Sequence, residues 1–306
     1  MDSRSPAPDL LIRRRHERIA LAMLFAGAAA IAFSPIFVRL SELGPTATAF
    51  WRVAFAAPAL ALWLGSDNRR RGVAAVRPTS ARDRWLLVLA GLCFAGDLAF
   101  WHWSIKFTSV ANATLFANFA PVFVTPAAYL LFRERFRPAF ILGLVLAIAG
   151  AAVLMSASLS FSGAHILGDA LGLVTAGFYA GYMLVLGALR SRFSTATIMA
   201  WTAVIAAVLL LPVALLSGES LLATTAHGWF ILLALALFSH AGGQSLIASA
   251  FAHLPTSFSA VALLLQPAIA ACLAWIILGE SLGPVQALGS VLVLVGIVIA
   301  RRASLG

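Results

Sequence analysis

Apolar residues along the chain fall into ten long runs that are separated by short polar segments. Each run holds about 18–24 mostly apolar residues, enough to cross a bilayer core of ~30 Å at a helical rise of ~1.5 Å per residue. The pattern therefore predicts an all-α membrane protein with ten transmembrane helices. The predicted spans are 19–40, 45–65, 84–106, 109–131, 138–157, 167–189, 194–216, 227–250, 256–278 and 284–301.

The first run allows a second interpretation, as a cleaved signal peptide. Basic residues at 13–15 precede it, and the small residues at 28–32 would suit a cleavage site. Its removal would leave nine helices and spoil a two-fold arrangement, so we interpret the run as a span. The short loops predict antiparallel neighbours and no inserted soluble domain.

One stretch of the chain occurs twice, as 109–154 and as 255–300, with a shift of 146 residues. Each copy is an apolar run with a central proline, a short polar turn that carries a glutamate, and a glycine-rich apolar run. A repeat of this size determines the whole architecture. The matched landmarks are Pro121 with Pro267, Glu134 with Glu280, Pro138 with Pro284, Gly143 with Gly289, and Gly150 with Gly296.

This pattern of proline, glutamate and glycine resembles the EamA family of the drug/metabolite transporter superfamily. The resemblance covers the chain from about Ile19 to Arg301. It is specific for the family and weak for the substrate. It implies a carrier, and it makes amino acids the favoured substrate class, as in the aromatic amino-acid exporters of the family.

Five helices in each half have a topological consequence, because an odd number inverts the second half relative to the first. We expect a basic tail at 1–17, a first five-helix repeat at 18–157 and a second, inverted repeat at 167–301. Inverted repeats are typical of alternating-access carriers, which bind their substrate near the midplane between the halves.

Basic residues predict the orientation of the chain. The amino-terminal tail, the even-numbered loops and the carboxyl end together carry 18 of the 21 Lys and Arg residues, and only Arg39, Arg52 and Lys106 lie elsewhere. The positive-inside rule then places both termini in the cytoplasm of a cell with a bacterial-type inner membrane. Glu134 would lie on the cytoplasmic side and Glu280 on the outer side.

Composition excludes several classes of protein. The chain is 62% hydrophobic and 10% charged, so lipid must be part of its solvent. The arginine bias accounts for the net charge of +10 without a nucleic-acid partner. Cys93 and Cys272 form no disulfide framework and no metal-ligand spacing. The sequence has no GxSxG, HExxH, Walker A or Rossmann pattern, so we expect no enzyme activity, no cofactor and no ATPase partner.

The third run has the densest signal for a binding site. Asp97 and Trp101 are four residues apart and share one face of a helix. An acid this deep in lipid should face a cavity or a partner, so Asp97 is either a substrate or proton-coupling group or a structural partner of Arg52. His102 lies on another face, as a ligand contact or as an interfacial polar group.

Other deep polar residues are weaker candidates. Gln244 follows His240 by four residues and either binds substrate or joins two helices by a hydrogen bond. Asn112, Asn118 and Gln266 lie near the proline landmarks, where a proline frees a carbonyl for a cavity or simply relieves packing. Glu134 and Glu280 are expected to cap or anchor helix ends.

Aromatic residues and prolines complete the predicted site. Trp101, Tyr179 and Tyr182 could form a wall that stacks a flat or cationic solute, although helix packing would also explain them. Pro121 and Pro267 are predicted hinges, about which the fourth and ninth helices tilt. We expect the fifth and tenth helices to lie outside the cavity.

The sequence therefore predicts a carrier in a lipid bilayer that exports a small metabolite, with aromatic or hydrophobic amino acids favoured. It would act as a monomer or a homodimer. Within carriers, the alternative is a sugar-nucleotide or phosphorylated-sugar transporter, against which the single deep arginine, Arg52, counts. Outside carriers, the alternative is a membrane enzyme or a scaffold.

Overall fold

The computed structural model describes residues 8–72, 76–108, 110–156, 165–279 and 283–304. Within these residues there is no β-strand, and ten helical spans are long and apolar enough to cross a membrane. The predicted fold class is confirmed. The spans are Arg15–Leu40, Pro45–Arg71, Ala81–Phe107, Asn112–Phe132, Pro138–Met155, Ile166–Arg190, Thr195–Leu216, Ala226–Ala250, Thr256–Ile277 and Pro284–Ser304.

The ten spans are built from fourteen α-helices and one π-helix, because four spans are composite. The π-helix, Leu235–Gln244, lies in the middle of the eighth span. The α-helices are α1 Pro8–Ala32, α2 Ser34–Leu40, α3 Pro45–Arg71, α4 Ala81–Phe107, α5 Val110–Ala117, α6 Ala120–Phe132, α7 Pro138–Met155, α8 Ile166–Arg190, α9 Thr195–Leu216, α10 Ala226–Ala234, α11 Ser245–Ala250, α12 Thr256–Ala262, α13 Leu265–Leu278 and α14 Pro284–Ser304.

Helix starts in the chain follow local chemistry. Proline occupies the first turn of α3 and of α7, where its missing amide proton would have no partner in any case. Serine caps α4 and α9, since the Ser80 hydroxyl accepts the Asp83 amide and the Ser194 hydroxyl accepts the Thr197 amide. These prolines and serines therefore mark the residues at which the four helices begin.

Three spans are interrupted, which the apolar pattern alone does not show. The first span breaks at Phe33, the fourth at 118–119 and the ninth at 263–264. Each break ends two or three residues before a proline, at Pro35, Pro121 or Pro267. Proline cannot donate to the carbonyl four residues earlier, so the helix is free to change direction there.

Packing between the spans has a two-fold pattern that matches two inverted five-helix repeats. The third span packs on the sixth, and in the same way the eighth packs on the first. The second span packs on the seventh, and the fifth on the tenth, so each of these pairs lies across the symmetry axis. The repeat seen in the sequence is therefore also a repeat of contacts.

Glycines explain the closeness of the fifth and tenth spans, α7 and α14. A Cβ on Gly143 would lie 2.6 Å from the Gly296 carbonyl oxygen, and a Cβ on Gly289 would lie 2.3 Å from the Leu154 amide nitrogen. Both distances are below van der Waals contact, so only glycine permits this approach.

The basic tail is partly helical, since α1 begins at Pro8 and continues into the first span. At the other terminus, Arg301 Nη2 contacts Glu17 Oε1 at 2.8 Å and ties α14 to α1. We call this the arginine-rich end of the bundle. It also holds the segments after the second, fourth, sixth and eighth spans. The described parts of the remaining loops form the opposite end.

Candidate functional site

A cavity lies between the two halves, close to the three helix breaks. Its space, including its open mouth, is about 770 Å³. The fifth, seventh and tenth spans contribute none of its lining residues. The lining residues are Ile31, Ala32, Ser34, Pro35, Arg52, Phe94, Asp97, Leu98, Trp101, Thr114, Ala117, Asn118, Thr175, Tyr179, Gln244, Gln266, Pro267 and Ala270.

The break in the first span exposes backbone to this cavity. Pro35 stands in the first turn of α2 and cannot donate to the Ile31 carbonyl. Ser34 is 4% exposed, and its hydroxyl has no hydrogen-bond partner within the described part of the chain. The break thus places a buried, unpaired hydroxyl on a residue that lines the cavity.

The fourth and ninth spans break at equivalent places on the cavity. The Asn118 side-chain amide donates to the Thr114 carbonyl at 2.7 Å, which closes the end of α5. Pro267 cannot donate to the Leu263 carbonyl oxygen, which instead accepts the backbone amide of Gln266 at 3.0 Å. Pro267 lines the cavity, whereas Pro121 is buried outside the lining. Their role as hinges stays a prediction.

The cavity contains one cation and one acid, Arg52 of α3 and Asp97 of α4. The Arg52 side chain is 6% exposed, and its Nε has no partner among the described residues. The ion pairs within 4.0 Å that join described residues do not include Arg52 with Asp97. A buried charge without a close counterion is unfavourable, so each group is available to a charged ligand.

Two amides and a phenol stand near these charges. Gln244 ends the π-helix and Gln266 follows the break in the ninth span. The side-chain nitrogens of both are buried without a partner among the described residues. Tyr179 of α8 lies beside Gln244 in the lining. A π-helical turn is common at functional sites because it reorients side chains within a helix.

Aromatic rings form one wall of the cavity. Phe94, Trp101 and Tyr179 all line it. Phe94 in turn packs against Tyr182, with ring centroids 5.0 Å apart, and against His240, with ring centroids 5.1 Å apart. The wall is therefore supported by a second layer of rings, which holds its shape.

The cavity brings together five of the eight predicted binding residues: Asp97, Trp101, Tyr179, Gln244 and Gln266. The other three are buried outside the lining. His102 Nδ1 bonds the Leu98 carbonyl oxygen at 2.6 Å. The Asn112 amide donates to Asp169 Oδ1 at 2.8 Å, and the Tyr182 hydroxyl lies 3.7 Å from Met199 Sδ. Any part these three have in binding stays a prediction.

Several lining residues were not predicted to bind, and some had a signal in the sequence. Pro35 interrupts an apolar run, which is a sign of a break. Phe94 precedes Asp97 by three residues and so shares its face. Arg52 was interpreted only as a structural partner of Asp97. Thr114 and Thr175 had no signal, because threonine in an apolar helix commonly bonds its own backbone, as Thr175 does with the Leu171 carbonyl at 3.0 Å.

Metal binding finds no support in the described residues, where no group of three or more His, Cys, Asp or Glu side chains is placed to hold an ion. The lining offers opposite charges, amide donors and aromatic faces. Such a set binds a polar solute with an apolar part.

Known proteins resemble this chain in sequence and in fold. It is 30% identical to an uncharacterized transporter of Archaeoglobus fulgidus over 67% of this chain and 68% of that protein. It is 25% identical to the pseudopaline exporter CntI of Pseudomonas aeruginosa, over 93% of this chain and 97% of that protein. It is 32% identical to the threonine/homoserine exporter RhtA of Escherichia coli, over 61% and 63%.

The fold is also found in a crystal structure that is 17% identical, with a TM-score of 0.79 over 93% of this chain and 98% of that one. The EamA-like transporter family matches the sequence twice, at residues 18–156 and 166–302. These two matches cover most of the chain and coincide with the two halves that enclose the cavity. The chain is a multi-pass membrane transporter and belongs to the EamA-like transporter family.

Proposed function

We propose that this transporter exports an amino acid with an aromatic or hydrophobic side chain from the cytoplasm, by alternating access of the central cavity. The observation that carries the proposal is the presence of Arg52 and Asp97 in one cavity without a close ion pair between them. An α-amino acid carries one carboxylate and one ammonium group, and it can satisfy both.

Arg52 suits the carboxylate end, because a guanidinium donates two parallel hydrogen bonds to a carboxylate. Asp97 suits the ammonium end, with the Tyr179 hydroxyl and the Gln244 amide as further partners. The side chain of the substrate would then lie against Phe94 and Trp101. The alternative of a phosphorylated sugar would need more cationic groups than Arg52 provides in this lining.

A second candidate substrate is a small amino acid with a hydroxyl group. Its support is the similarity to a protein named as a threonine/homoserine exporter. Ser34, Thr114 and Thr175 also line the cavity and could bond a hydroxyl group. Aromatic and small hydroxylated amino acids therefore need to be compared directly.

The test is counterflow of labelled phenylalanine and threonine in liposomes that contain only the purified protein. Trp101→Ala should weaken phenylalanine transport by about 1–3 kcal/mol of lost contact and affect threonine less. Trp103→Ala is the matched control, since Trp103 lies outside the lining and is 39% exposed. Equal losses for both substrates would remove Trp101 from the binding wall, and exchange of sugar phosphates without amino acids would overturn the proposal.

Arg52→Gln and Asp97→Asn should weaken every amino-acid substrate, because each removes the partner of a group that all of them share. Asp97→Asn also tests coupling. It should abolish the pH dependence of transport if Asp97 carries protons, and leave that dependence unchanged if Asp97 only binds or supports. Counterflow at several pH values separates these results.

We further propose that the halves of the fourth and ninth spans tilt about Pro121 and Pro267. Substituting either with Ala should change the transport rate more than the substrate affinity, because a continuous helix resists tilting. Wild-type rates in both variants would exclude the hinges.

The proposed orientation places both termini in the cytoplasm of an inner-membrane protein. In a variant without Cys93 and Cys272, a cysteine at Ser217 should react with an impermeant reagent in intact cells, and one at Val76 only after permeabilisation. By the same rule a cysteine at Ser162, between the fifth and sixth spans, should react from outside as the one at Ser217 does; Ser162 lies outside the described residues. The reverse pattern of labelling would overturn the orientation.

A further inference from the structure

A second pocket lies at the arginine-rich end, away from the central cavity. It is bounded by the last residues of α3, by the turn between α8 and α9, and by the first turn of α9. Its space, including its mouth, is about 570 Å³. Three guanidinium groups face it, those of Arg71, Arg190 and Arg192.

Two of these arginines have carboxylate partners. Arg71 Nε bonds both oxygens of Asp67, at 2.9 Å each. Arg192 bonds both oxygens of Asp83, through Nη1 and through Nη2, the latter at 3.3 Å. The charges of these four residues therefore cancel locally.

Arg190 differs from the other two. Its Nη1 donates to the Phe193 carbonyl oxygen at 2.6 Å, and its Nε is buried without a hydrogen-bond partner in the described chain. The ion pairs of the described residues do not include Arg190. Arg190 interacts with the Asp67 carboxylate only electrostatically, because that carboxylate is hydrogen-bonded to Arg71. The three guanidinium groups of the pocket are therefore offset by two carboxylates, those of Asp67 and Asp83.

A phosphate group matches this arrangement. Arginine binds phosphate through two parallel N–H donors, and the remaining phosphate oxygens can accept from other donors. The Asn68 side chain also lines the pocket and could contribute. A negative charge here would relieve the cost of the buried guanidinium.

The position of the pocket indicates where such a phosphate comes from. The pocket lies where two membrane spans end, at Arg71 and at Arg190, which is the depth of lipid headgroups. Basic pockets between membrane helices are typical sites for anionic lipid headgroups.

We propose that this pocket binds the phosphate group of an anionic phospholipid such as phosphatidylglycerol, with Arg190 as its principal ligand. The lipid would also join the two repeats at this end, because Arg71 belongs to the first half and Arg190 to the second. This site is independent of the substrate cavity and of the identity of the substrate.

The experiment measures thermal unfolding of the purified full-length protein in detergent micelles, with added dioleoyl-phosphatidylglycerol, dioleoyl-phosphatidylcholine or inorganic phosphate. A ligand that binds only the folded state raises the unfolding midpoint. We expect phosphatidylglycerol to raise it for the wild type. Arg190→Gln should weaken this binding by about tenfold or more, as expected for one charge-assisted contact.

Arg135→Gln is the matched control, since Arg135 is exposed at the same end but lies outside the pocket. It should respond to lipid as the wild type does. If Arg190→Gln does not fold, Val76→Glu gives the same test, because Val76 lines the mouth of the pocket and is 56% exposed. The added carboxylate should repel the lipid phosphate.

Three results would overturn the proposal. Equal stabilisation by phosphatidylglycerol in the wild type, Arg190→Gln and Val76→Glu would show that the lipid acts without this pocket. Inorganic phosphate could instead raise the unfolding midpoint so that added phosphatidylglycerol raises it no further. That result would assign the pocket to a soluble phosphate compound. A response to phosphatidylcholine as large as that to phosphatidylglycerol would exclude a requirement for anionic charge.

Discussion

The two ends of the bundle are closed by contacts between the same pairs of elements but with different chemistry. At the arginine-rich end, the first turn of the third span meets the turn between the sixth and seventh spans, through Asp83 and Arg192. At the opposite end, the start of the eighth span meets the turn between the first and second spans, through Thr225 and Glu42. These pairs of elements are equivalent in the inverted repeat, although the contacting residues are not at matched positions.

The arginine-rich end is held by a buried acid and a half-exposed cation. Asp83 is 3% exposed and bonds Arg192, whose side chain is 51% exposed. A second contact lies nearby, where Glu134 accepts the Thr256 amide at 3.1 Å and the Ser257 hydroxyl. Glu134 therefore anchors the start of α12, and the expected anchoring role of this residue is confirmed. Glu280, its repeat partner, lies outside the described residues.

The opposite end is held by carboxylates in its loops. Glu42 accepts the Thr224 backbone amide at 2.8 Å and the hydroxyl groups of Thr224 and Thr225. Glu219 contacts Lys106 Nζ at 2.5 Å and accepts the Ala47 amide at 2.9 Å. The Trp51 indole also donates to the Leu221 carbonyl oxygen at 2.6 Å. All of these contacts join the first half to the second.

The comparison shows that the repeat keeps the place of a contact rather than its residue types. The acidic residue at the arginine-rich end, Asp83, lies in the first turn of a span. The acidic residue at the opposite end, Glu42, lies in a turn between two spans. A carrier that opens one end at a time must break one set of contacts while the other holds. The contacts at the two ends therefore need only contribute similar free energies. An ion pair and a group of hydrogen bonds to carboxylates can both do so.

The largest effect is expected from breaking the contact at the arginine-rich end. Arg192→Gln should lower the free energy of unfolding by about 1–3 kcal/mol, because it leaves the buried Asp83 carboxylate without its charged partner. Asp83→Asn should cost a similar amount, and the double variant should cost less than the two single effects added together. Thermal or denaturant unfolding in detergent measures all three. Strict additivity would show that the pair is not energetically coupled.

The Arg192→Gln variant also tests whether the two ends open separately, through the accessibility of the cavity to a thiol reagent. In vesicles of defined orientation, a cysteine at Asn118, which lines the cavity, should react faster with an impermeant reagent from the arginine-rich end when Arg192 is replaced. Reactivity from the opposite end should not rise. An equal rise from both ends would indicate general loosening of the fold instead of opening at one end.

An intermediate effect is expected from Glu219. Burial alone would raise the pKa of its carboxyl, but the hydrogen bonds from Lys106 and the Ala47 amide bring the pKa below its ordinary value. Glu219→Gln should cost about 1–2 kcal/mol of unfolding free energy, since the amide can still accept one bond but no longer pairs with Lys106. Lys106→Gln is the matched control and should add little to Glu219→Gln. A large further loss in the double variant would contradict the pairing.

The smallest effect at neutral pH is expected from Glu42, which is exposed to solvent. Hydrogen bonds from the Thr225 hydroxyl and from Thr224 lower the pKa of its carboxyl from 4.5 to about 2. A carboxyl with a depressed pKa stabilises the folded state fully above its unfolded pKa. This contribution is lost as the pH falls from about 4.5 through about 2.

Glu42→Gln should therefore flatten the fall in the unfolding midpoint between these pH values, compared with the wild type. Unfolding scans at closely spaced acidic pH values measure the difference. An unchanged profile in Glu42→Gln would exclude a contribution of this carboxylate to closure of the opposite end.

The sequence by itself determined the number of spans, their two-fold repeat and the positions of two of the three helix breaks. The reason is the membrane, which requires long apolar windows with internally bonded backbone. Pro121 and Pro267 stood out because a proline cannot complete the bonding of a helix. Gly143 and Gly296 stood out because only small residues allow close contact between helices in lipid.

The tertiary structure alone decided which side of each span faces the cavity. Helical periodicity correctly grouped Asp97 with Trp101, but it could not tell that Tyr179 lines the cavity while Tyr182 is buried against Phe94. In a soluble protein the apolar face of a helix points inward. Here lipid and protein interior are equally apolar, so the pattern of apolar residues does not orient the helix.

The contacts that close the two ends were also beyond the sequence. Asp83 and Arg192 are 109 residues apart, and Glu42 and Thr225 are 183 apart. The equivalent elements of the two repeats place their contacting residues at unmatched positions, so comparing the copies does not reveal them. Only the folded arrangement of the two halves brings these groups together, because the inverted packing of the spans sets which turns meet at each end.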